Sequence, residues 1–266
     1  MRVTSADINL AQRLADAAGA AIRPYFRAPH GLETKPDHSP VTLADREAEA
    51  AMRQLIEESF PDDAIIGEEY GTKQGLSGRA WVLDPIDGTR AFISGRPIFG
   101  TLIALMVEGW PLLGIIDQPV GRERWLGVIG QPTTFNGAAV RTRPCPALAG
   151  AAIATTSPHL FSEHEAEHYL ALVAAASGGN MRHGAIYGGD CYNYGCLASG
   201  QLDIVIEAGL KIHDFAALVP IVEGAGGRMC DWQGDPLTVD SAGDVIAAGD
   251  PARIEEIVET LACHGH

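Results

Sequence analysis

The stretch Trp81-Val82-Leu83-Asp84-Pro85-Ile86-Asp87-Gly88-Thr89-Arg90-Ala91-Phe92 decides how the chain is read. Trp81 to Leu83 read as the end of a buried strand, and they run into two carboxylates, Asp84 and Asp87, separated by Pro85 and Ile86. Pro85 stiffens the exit because its ring fixes φ, and Gly88 permits a tight turn. Thr89 to Ser94 then reads as the first turns of a helix. Both carboxylates thus leave a strand end facing the free N–H groups of a helix start. Such N–H groups attract an anion such as phosphate, whereas Asp84 and Asp87 repel one. A hard divalent cation reconciles the two by bridging carboxylate and phosphate oxygens, the usual arrangement of magnesium sites. A plain Asp-rich turn has the same composition, since Asp and Gly dominate turns, so the rest of the chain must discriminate.

The chain has 266 residues, 46% of them apolar and 20% charged, which suits a soluble globular protein with a large core. Gly, Glu, Trp and Pro interrupt the apolar run Thr101 to Ile116, so no membrane span is expected. The N-terminus has only Arg2 before an amphipathic segment with Asp7 and Asp16, which does not read as a signal peptide. Five cysteines (Cys145, Cys191, Cys196, Cys230 and Cys263) show no paired spacing and read as reduced thiols of a cytoplasmic protein. A net charge of −15 argues against nucleic acid as a partner, because phosphate neutralisation needs a basic stripe. It leaves room for a small phosphorylated substrate where cations line the site.

Apolar spacing predicts a helix over Ile8 to Arg27, a loop or hairpin over Pro29 to Pro40, and a second helix from Leu43 to Ser59 capped by Thr42. Ala64 to Gly67 reads as a strand ending at Glu68-Glu69, and Gly71 to Gly78 as a surface loop. Beyond the central stretch, Phe99 to Val107 and Leu112 to Asp117 flank Gly109-Trp110-Pro111 as a hairpin; Arg124 to Ile129 and Thr134 to Val140 continue the meander. Thr142 to Ala149 is the expected boundary, giving an α+β half over 1–142 and an α/β half over 143–266. In the second half strands at Ala151 to Thr155, Met181 to Gly184, Leu202 to Ile206 and Val245 to Ala248 alternate with helices. The helices are expected at Glu163 to Ser177, Tyr187 to Ala198, Asp214 to Ala225 and Pro251 to Ala262.

Glu68, Asp84, Asp87 and Asp214 each follow a short apolar segment or open a helix, positions that tend to meet in one crevice of an α/β sheet. If they converge, their charge persists only with cations or raised pKa values. Taken singly, each suits a solvated or capping carboxylate, and Asp214 suits the cap of the helix it opens. Thr89 and Asp45 form a further pair, a hydroxyl beside the attacking water backed by a carboxylate. By spacing alone Asp45 better suits the acidic first turn of its helix.

Taken together and in order, these motifs resemble the inositol monophosphatase family. The resemblance rests on Glu68-Glu69, the run Asp84-Pro85-Ile86-Asp87-Gly88-Thr89, Asp214-Phe215-Ala216-Ala217 and Glu223-Gly224-Ala225-Gly226-Gly227, with Asp37-x-Ser39-Pro40-Val41-Thr42-x-x-Asp45 as an N-terminal signature. It spans roughly residues 35 to 230. It implies a layered αβαβα sandwich, usually a homodimer, acting as a magnesium-dependent phosphomonoesterase. By position, Glu68, Asp84 and the Ile86 carbonyl would hold a first ion, and Asp84, Asp87 and Asp214 a second; Glu68 would also support a weaker third. Thr89, oriented by Asp45, and Glu68 would serve catalysis, and the N–H groups of Gly88 and Thr89 would hold phosphate.

Within the family, Arg90-Ala91-Phe92-Ile93-Ser94-Gly95-Arg96-Pro97 and Gly188-Gly189-Asp190-Cys191-Tyr192 look like the histidinol-phosphate phosphatase branch. Inositol-type members usually carry Thr-Asn-Phe after the Gly-Thr and a Trp before the last metal aspartate; here Arg90-Ala91 and His213 stand there, and Lys211 also departs from the pattern. Asp190 and Glu207, with Arg90, would then face the substrate's alcohol end. Carboxylates suit the ammonium and imidazole of histidinol, whereas neutral inositol needs only hydrogen bonds. Inositol phosphate, sugar phosphates and adenosine 3′,5′-bisphosphate are alternative substrates, and a metal-binding protein without catalysis is an alternative class. The segment His164-Glu165-Ala166-Glu167-His168 matches H-E-x-x-H, the zinc-protease helix. Ser162 with Glu165 reads instead as a capping box at an exposed helix start.

Overall fold

The computed structural model describes residues 2–28, 31, 33–34, 40–178 and 184–262. Helix α1 (Ser5–Ile22) leads through strands β1 (Glu33–Thr34) and β2 (Pro40–Val41) to α2 (Leu43–Ser59). Then come β3 (Ala64–Gly67), β4 (Gly71–Lys73), β5 (Arg79–Asp87), the short helix α3 (Thr89–Ile93), β6 (Gly100–Val107), β7 (Trp110–Gln118), β8 (Glu123–Val128), β9 (Thr134–Phe135) and β10 (Ala138–Ala139). The C-terminal part runs β11 (Ile153–Thr155), α4 (Glu163–Ala176), β12 (Ile186–Tyr187), α5 (Asp190–Ala198), β13 (Ile204–Glu207), α6 (Ile212–Phe215), α7 (Leu218–Gly224), β14 (Arg228–Cys230), β15 (Val245–Ala248) and α8 (Ile254–Ala262).

Period-two alternation sorts the strands' side chains into three apolar layers. On β5 and β6, Trp81, Leu83, Ile103, Leu105 and Val107 pack with α1 and α2, burying Leu10, Leu14, Ala18, Met52 and Ile56. Val82, Leu102, Ala104 and Met106 point the other way and meet α5 and α7 through Tyr194, Leu197, Leu218 and Val222. The same middle layer takes Val205, Val245 and Ala247 from the second sheet. Its opposite face, with Ile204, Ile206 and Ile246, packs on α4 and α8 through Tyr169, Leu172, Ile257 and Leu261. The order is helix, sheet, helix, sheet, helix, the expected αβαβα sandwich. Among the described residues no helix is long and apolar enough to cross a membrane.

The first sheet has eight strands in the order β10-β9-β8-β7-β6-β5-β3-β4, and the second has five in the order β12-β11-β13-β15-β14. β3 runs parallel to β5, pairing Gly67 with Leu83, and the Glu68 N–H continues the ladder to the Leu83 carbonyl at 3.2 Å. That register sets Glu68 beside Asp84. The start of β5 is anchored from below. Arg79 pairs with Asp7, which completes the capping box of Thr4 on α1, and donates from Nε to Asp63 Oδ2 at 3.1 Å, an oxygen that also accepts from Trp81 Nε1 at 3.0 Å.

Several expectations need correction. β5 does not end at Leu83 but runs on to Asp87, pairing Asp84 with Leu102 and Asp87 with Gly100 around a bulge. Pro85 has no N–H for the ladder and forces that bulge, while its carbonyl accepts from Thr101 Oγ1 at 2.8 Å. The loop expected at Gly71 to Gly78 begins with an edge strand, β4, paired antiparallel to β3. The helix expected over Asp214 to Ala225 is two: Pro220 cannot donate to a carbonyl one turn earlier, so a continuous helix is refused and Pro220 sits in the first turn of α7. The strand expected at Met181 to Gly184 lies largely outside the described residues, and β12 forms at Ile186–Tyr187. β14 carries no alternation long enough to have been anticipated.

Candidate active site

The carboxyl ends of β3, β5 and β13 open on one side of the molecule, where the starts of α5 and α6 meet them. Strand ends in open sheets form such ligand crevices. Ligand atoms of Asp84, Asp87 and Asp214 lie within 4.8 Å of one another, and so do those of Glu68, Asp84 and His213. Asp84 belongs to both groups. The four carboxylates predicted from separate segments therefore do converge.

Asp84 is 2% exposed, and its Oδ1 is buried with no hydrogen-bond partner among the described residues. Burial raises its pKa well above the ordinary aspartate value, and the neighbouring charges of Glu68, Asp87 and Asp214 add to it. Asp87 is raised likewise, by burial and then by Asp190 and Asp214, opposed by Cys191 through its side chain and through its N–H, which donates to Asp87 Oδ2 at 2.6 Å. Burial also raises Asp214, opposed by His213. Asp214 Oδ2 accepts from the Lys211 N–H at 2.7 Å, so it caps α6 with one oxygen while Oδ1 stands 3.5 Å from His213 Nε2. Capping and cluster membership, which sequence sets against each other, are both present.

An orphaned, buried carboxylate oxygen among like charges is unfavourable in a bare protein. Oxygen-rich clusters of this kind suit magnesium or another hard divalent cation, so the residues fit the expected cofactor. The Ile86 carbonyl, also predicted as a ligand, accepts from Thr89 Oγ1 at 3.1 Å. Gly88 is left-handed at φ +83°, and a Cβ there would come within 3.2 Å of three Asp190 side-chain atoms. Glycine thus serves both the turn into α3 and the close approach of Asp190.

Asp45 stands near Glu68 and Glu69 but accepts from Thr42, at 2.8 Å from N–H and 2.6 Å from Oγ1. Burial raises it to about 7 despite those bonds. No hydrogen bond joins it to Thr89 among the described residues. Asp37 and Ser39 of the N-terminal signature lie outside the described residues.

On the far side, Asp190 and Glu207 line a cavity of about 130 Å³ together with Asp87, Asp214, Tyr194 and Thr156. Glu207 closes β13 and accepts from the Thr156 N–H at 2.7 Å, Thr156 Oγ1 at 2.8 Å and Thr155 Oγ1 at 3.2 Å. Burial nevertheless raises it to about 7. Burial raises Asp190 to about 6, moderated by Arg96 and Arg90. Arg90 lines the adjoining cleft of about 480 Å³ with Glu68, Thr89, Arg96 and Asp190.

Sequence reasoning passed over three supports. Glu49 accepts from the N–H groups of Glu69 and Tyr70 at 2.7 and 3.1 Å, holding the turn that presents Glu68. Thr155 and Thr156 hold Glu207, and Tyr194 lines the smaller cavity with a buried hydroxyl that has no partner among the described residues. None has a local motif; each acts across more than 19 residues or from inside an ordinary helix.

The zinc-protease pattern resolves differently. Glu165 accepts from the Ser162 N–H at 2.6 Å and so caps α4. The His164 and His168 Nε2 atoms stand 3.1 Å apart, and His168 Nδ1 pairs with the Leu261 carbonyl.

The profile of the inositol monophosphatase family matches residues 4–266. The chain is 48% identical to a bifunctional phosphatase, IMPL2, of Arabidopsis thaliana chloroplasts over 94% of its own length and 73% of the relative's. It is 36% identical to a histidinol-phosphatase of Chlorobaculum parvum, covering 91% and 92% of the two chains. An inositol monophosphatase from Zymomonas mobilis superposes with a TM-score of 0.86 at 55% identity, covering 96% of this chain and 97% of that one. The carboxylate crevice, the layered fold and these likenesses agree: the chain belongs to the inositol monophosphatase family, a family of phosphatases.

Proposed function

We propose that this protein is a magnesium-dependent phosphomonoesterase that hydrolyses L-histidinol phosphate to L-histidinol and phosphate. The observation that carries the reading is the pair Asp190 and Glu207, two carboxylates beyond the cation-binding set, lining the cavity that adjoins Asp87 and Asp214. A phosphate ester anchored at the cluster would place its alcohol there, where negative side chains favour an ammonium or imidazolium group.

Bound magnesium would neutralise the phosphate and lower the pKa of the attacking water. Glu68, Asp84, Asp87, Asp214 and the Ile86 carbonyl would hold it. The Gly88 and Thr89 N–H groups at the start of α3 would receive phosphate oxygens. Thr89 and Asp45 are assigned the proton of the attacking water. Arg90 would flank the cleft mouth and bias it toward anionic esters.

The likeness to an inositol monophosphatase supports inositol phosphate as a second substrate reading. The ratio of kcat/KM for histidinol phosphate to that for inositol 1-phosphate, with magnesium, tests the two. We expect histidinol phosphate to be favoured by at least about tenfold, the worth of one charge-assisted contact. Preference for inositol 1-phosphate would overturn the substrate assignment.

A further inference from the structure

His213 precedes Asp214 on the one-turn helix α6, and the fold turns its ring back toward the carboxylates. We infer that His213 is a nitrogen ligand of the cation held by Glu68 and Asp84, so that this position has a mixed nitrogen and oxygen donor set. The inference rests on the metal-dependent reading above and deepens it.

Three observations carry it. One ligand atom each from Glu68, Asp84 and His213 falls within a 4.8 Å circle, a span that an ion with bonds of about 2.1 Å draws in by small side-chain rotations. The His213 side chain is only 11% exposed, and its Nε2 stands 3.5 Å from Asp214 Oδ1. That is beyond a normal N–H···O bond. The third is independent of the histidine: Asp84, 2% exposed, has a buried Oδ1 with no partner of its own. An unpartnered buried oxygen on β5 and an imidazole on α6 thus meet at one point, which a shared cation fills. The backbone beneath His213 is held in place, because Asp214 Oδ2 fixes the Lys211 N–H at 2.7 Å.

The chemical consequence is selectivity. An all-oxygen site suits magnesium, whereas imidazole suits zinc and other transition ions. His213 therefore shifts this position toward manganese and zinc without excluding magnesium.

Manganese alone is the probe. One equivalent of Mn²⁺ is added to the metal-free full-length protein, and electron spin-echo modulation is recorded. We expect modulation from a directly bound imidazole ¹⁴N, replaced by a ¹⁵N pattern when histidine is labelled and absent in His213→Phe and His213→Gln. By calorimetry the two variants lose at least about tenfold in Mn²⁺ affinity and less in Mg²⁺ affinity. Manganese that binds an active enzyme with an all-oxygen spectrum overturns the inference and leaves the phosphatase reading intact. Modulation that survives both substitutions also overturns it. A protein that binds no divalent cation and hydrolyses no phosphomonoester overturns both readings together.

Discussion

Asp84 and Glu207 are buried to the same degree, each 2% exposed, and each lies in the carboxyl-terminal half of an interior strand. Their surroundings are opposite. Asp84 faces Glu68, Asp87 and Asp214 and leaves one oxygen without a partner. Glu207 accepts three bonds from two threonines. One side of the crevice is thus incomplete without an external cation of high charge density. The other is complete in itself and, with its carboxyl raised to about 7, is poised between the neutral and anionic forms. Buried acids of equal exposure are therefore not equivalent: what each lacks indicates what it is built to receive.

The contrast predicts unequal responses to the same change, removal of one negative charge. Asp84→Asn takes an oxygen from both cation groups and should lower kcat on the order of a thousandfold for every phosphomonoester. Magnesium-dependent turnover near the wild-type rate would refute its place at the centre of the site. Glu207→Gln should leave p-nitrophenyl phosphate turnover within about twofold while raising KM for histidinol phosphate between about tenfold and a hundredfold. Because Glu207 is neutral below its value of about 7 and charged above it, kcat/KM for histidinol phosphate should gain from ionisation as pH rises through 7. That limb should flatten in the variant, and equal effects on both substrates would remove Glu207 from recognition.

A smaller effect separates the regions by stability. Asp84, Asp87 and Asp214 have raised values in the fold, so the folded protein holds protons there that the unfolded chain releases near pH 4. Their stabilising contribution is complete below about pH 4 and is lost as pH rises through the folded values. Magnesium bound there would reverse this by favouring the ionised form. The urea midpoint measured with magnesium should therefore exceed that with EDTA by a margin that widens from pH 5 to pH 8. A margin independent of pH would mean that the cluster is not where the ion binds.

Much of this is legible in the sequence. The apolar run Trp81 to Leu83 gave a strand and Gly88 a tight turn, and the strand-end and helix-start positions of Glu68, Asp84, Asp87 and Asp214 pointed to the crevice in which the fold brings them together. What escaped depends on the other side of a contact. The bulge at Pro85 needs β6 to be visible, and the break before α7 turns on Pro220 meeting an otherwise continuous apolar run. Glu49 looks like any helix-face glutamate until the chain returns twenty residues later to place Glu69 above it. His213 reads as a departure from a pattern, and only the folded ring position gives it surroundings.

The Cys191 N–H that donates to Asp87 Oδ2 joins the two sides. It follows Gly188, Gly189 and Asp190, all at positive φ, in a segment too contorted for most side chains. Exchanging the alcohol-binding residues of two related enzymes one at a time would tug on Asp87 and disturb turnover along with preference. A specificity transplant in this scaffold therefore has to carry residues 188–191 as one block, with the backbone shape included.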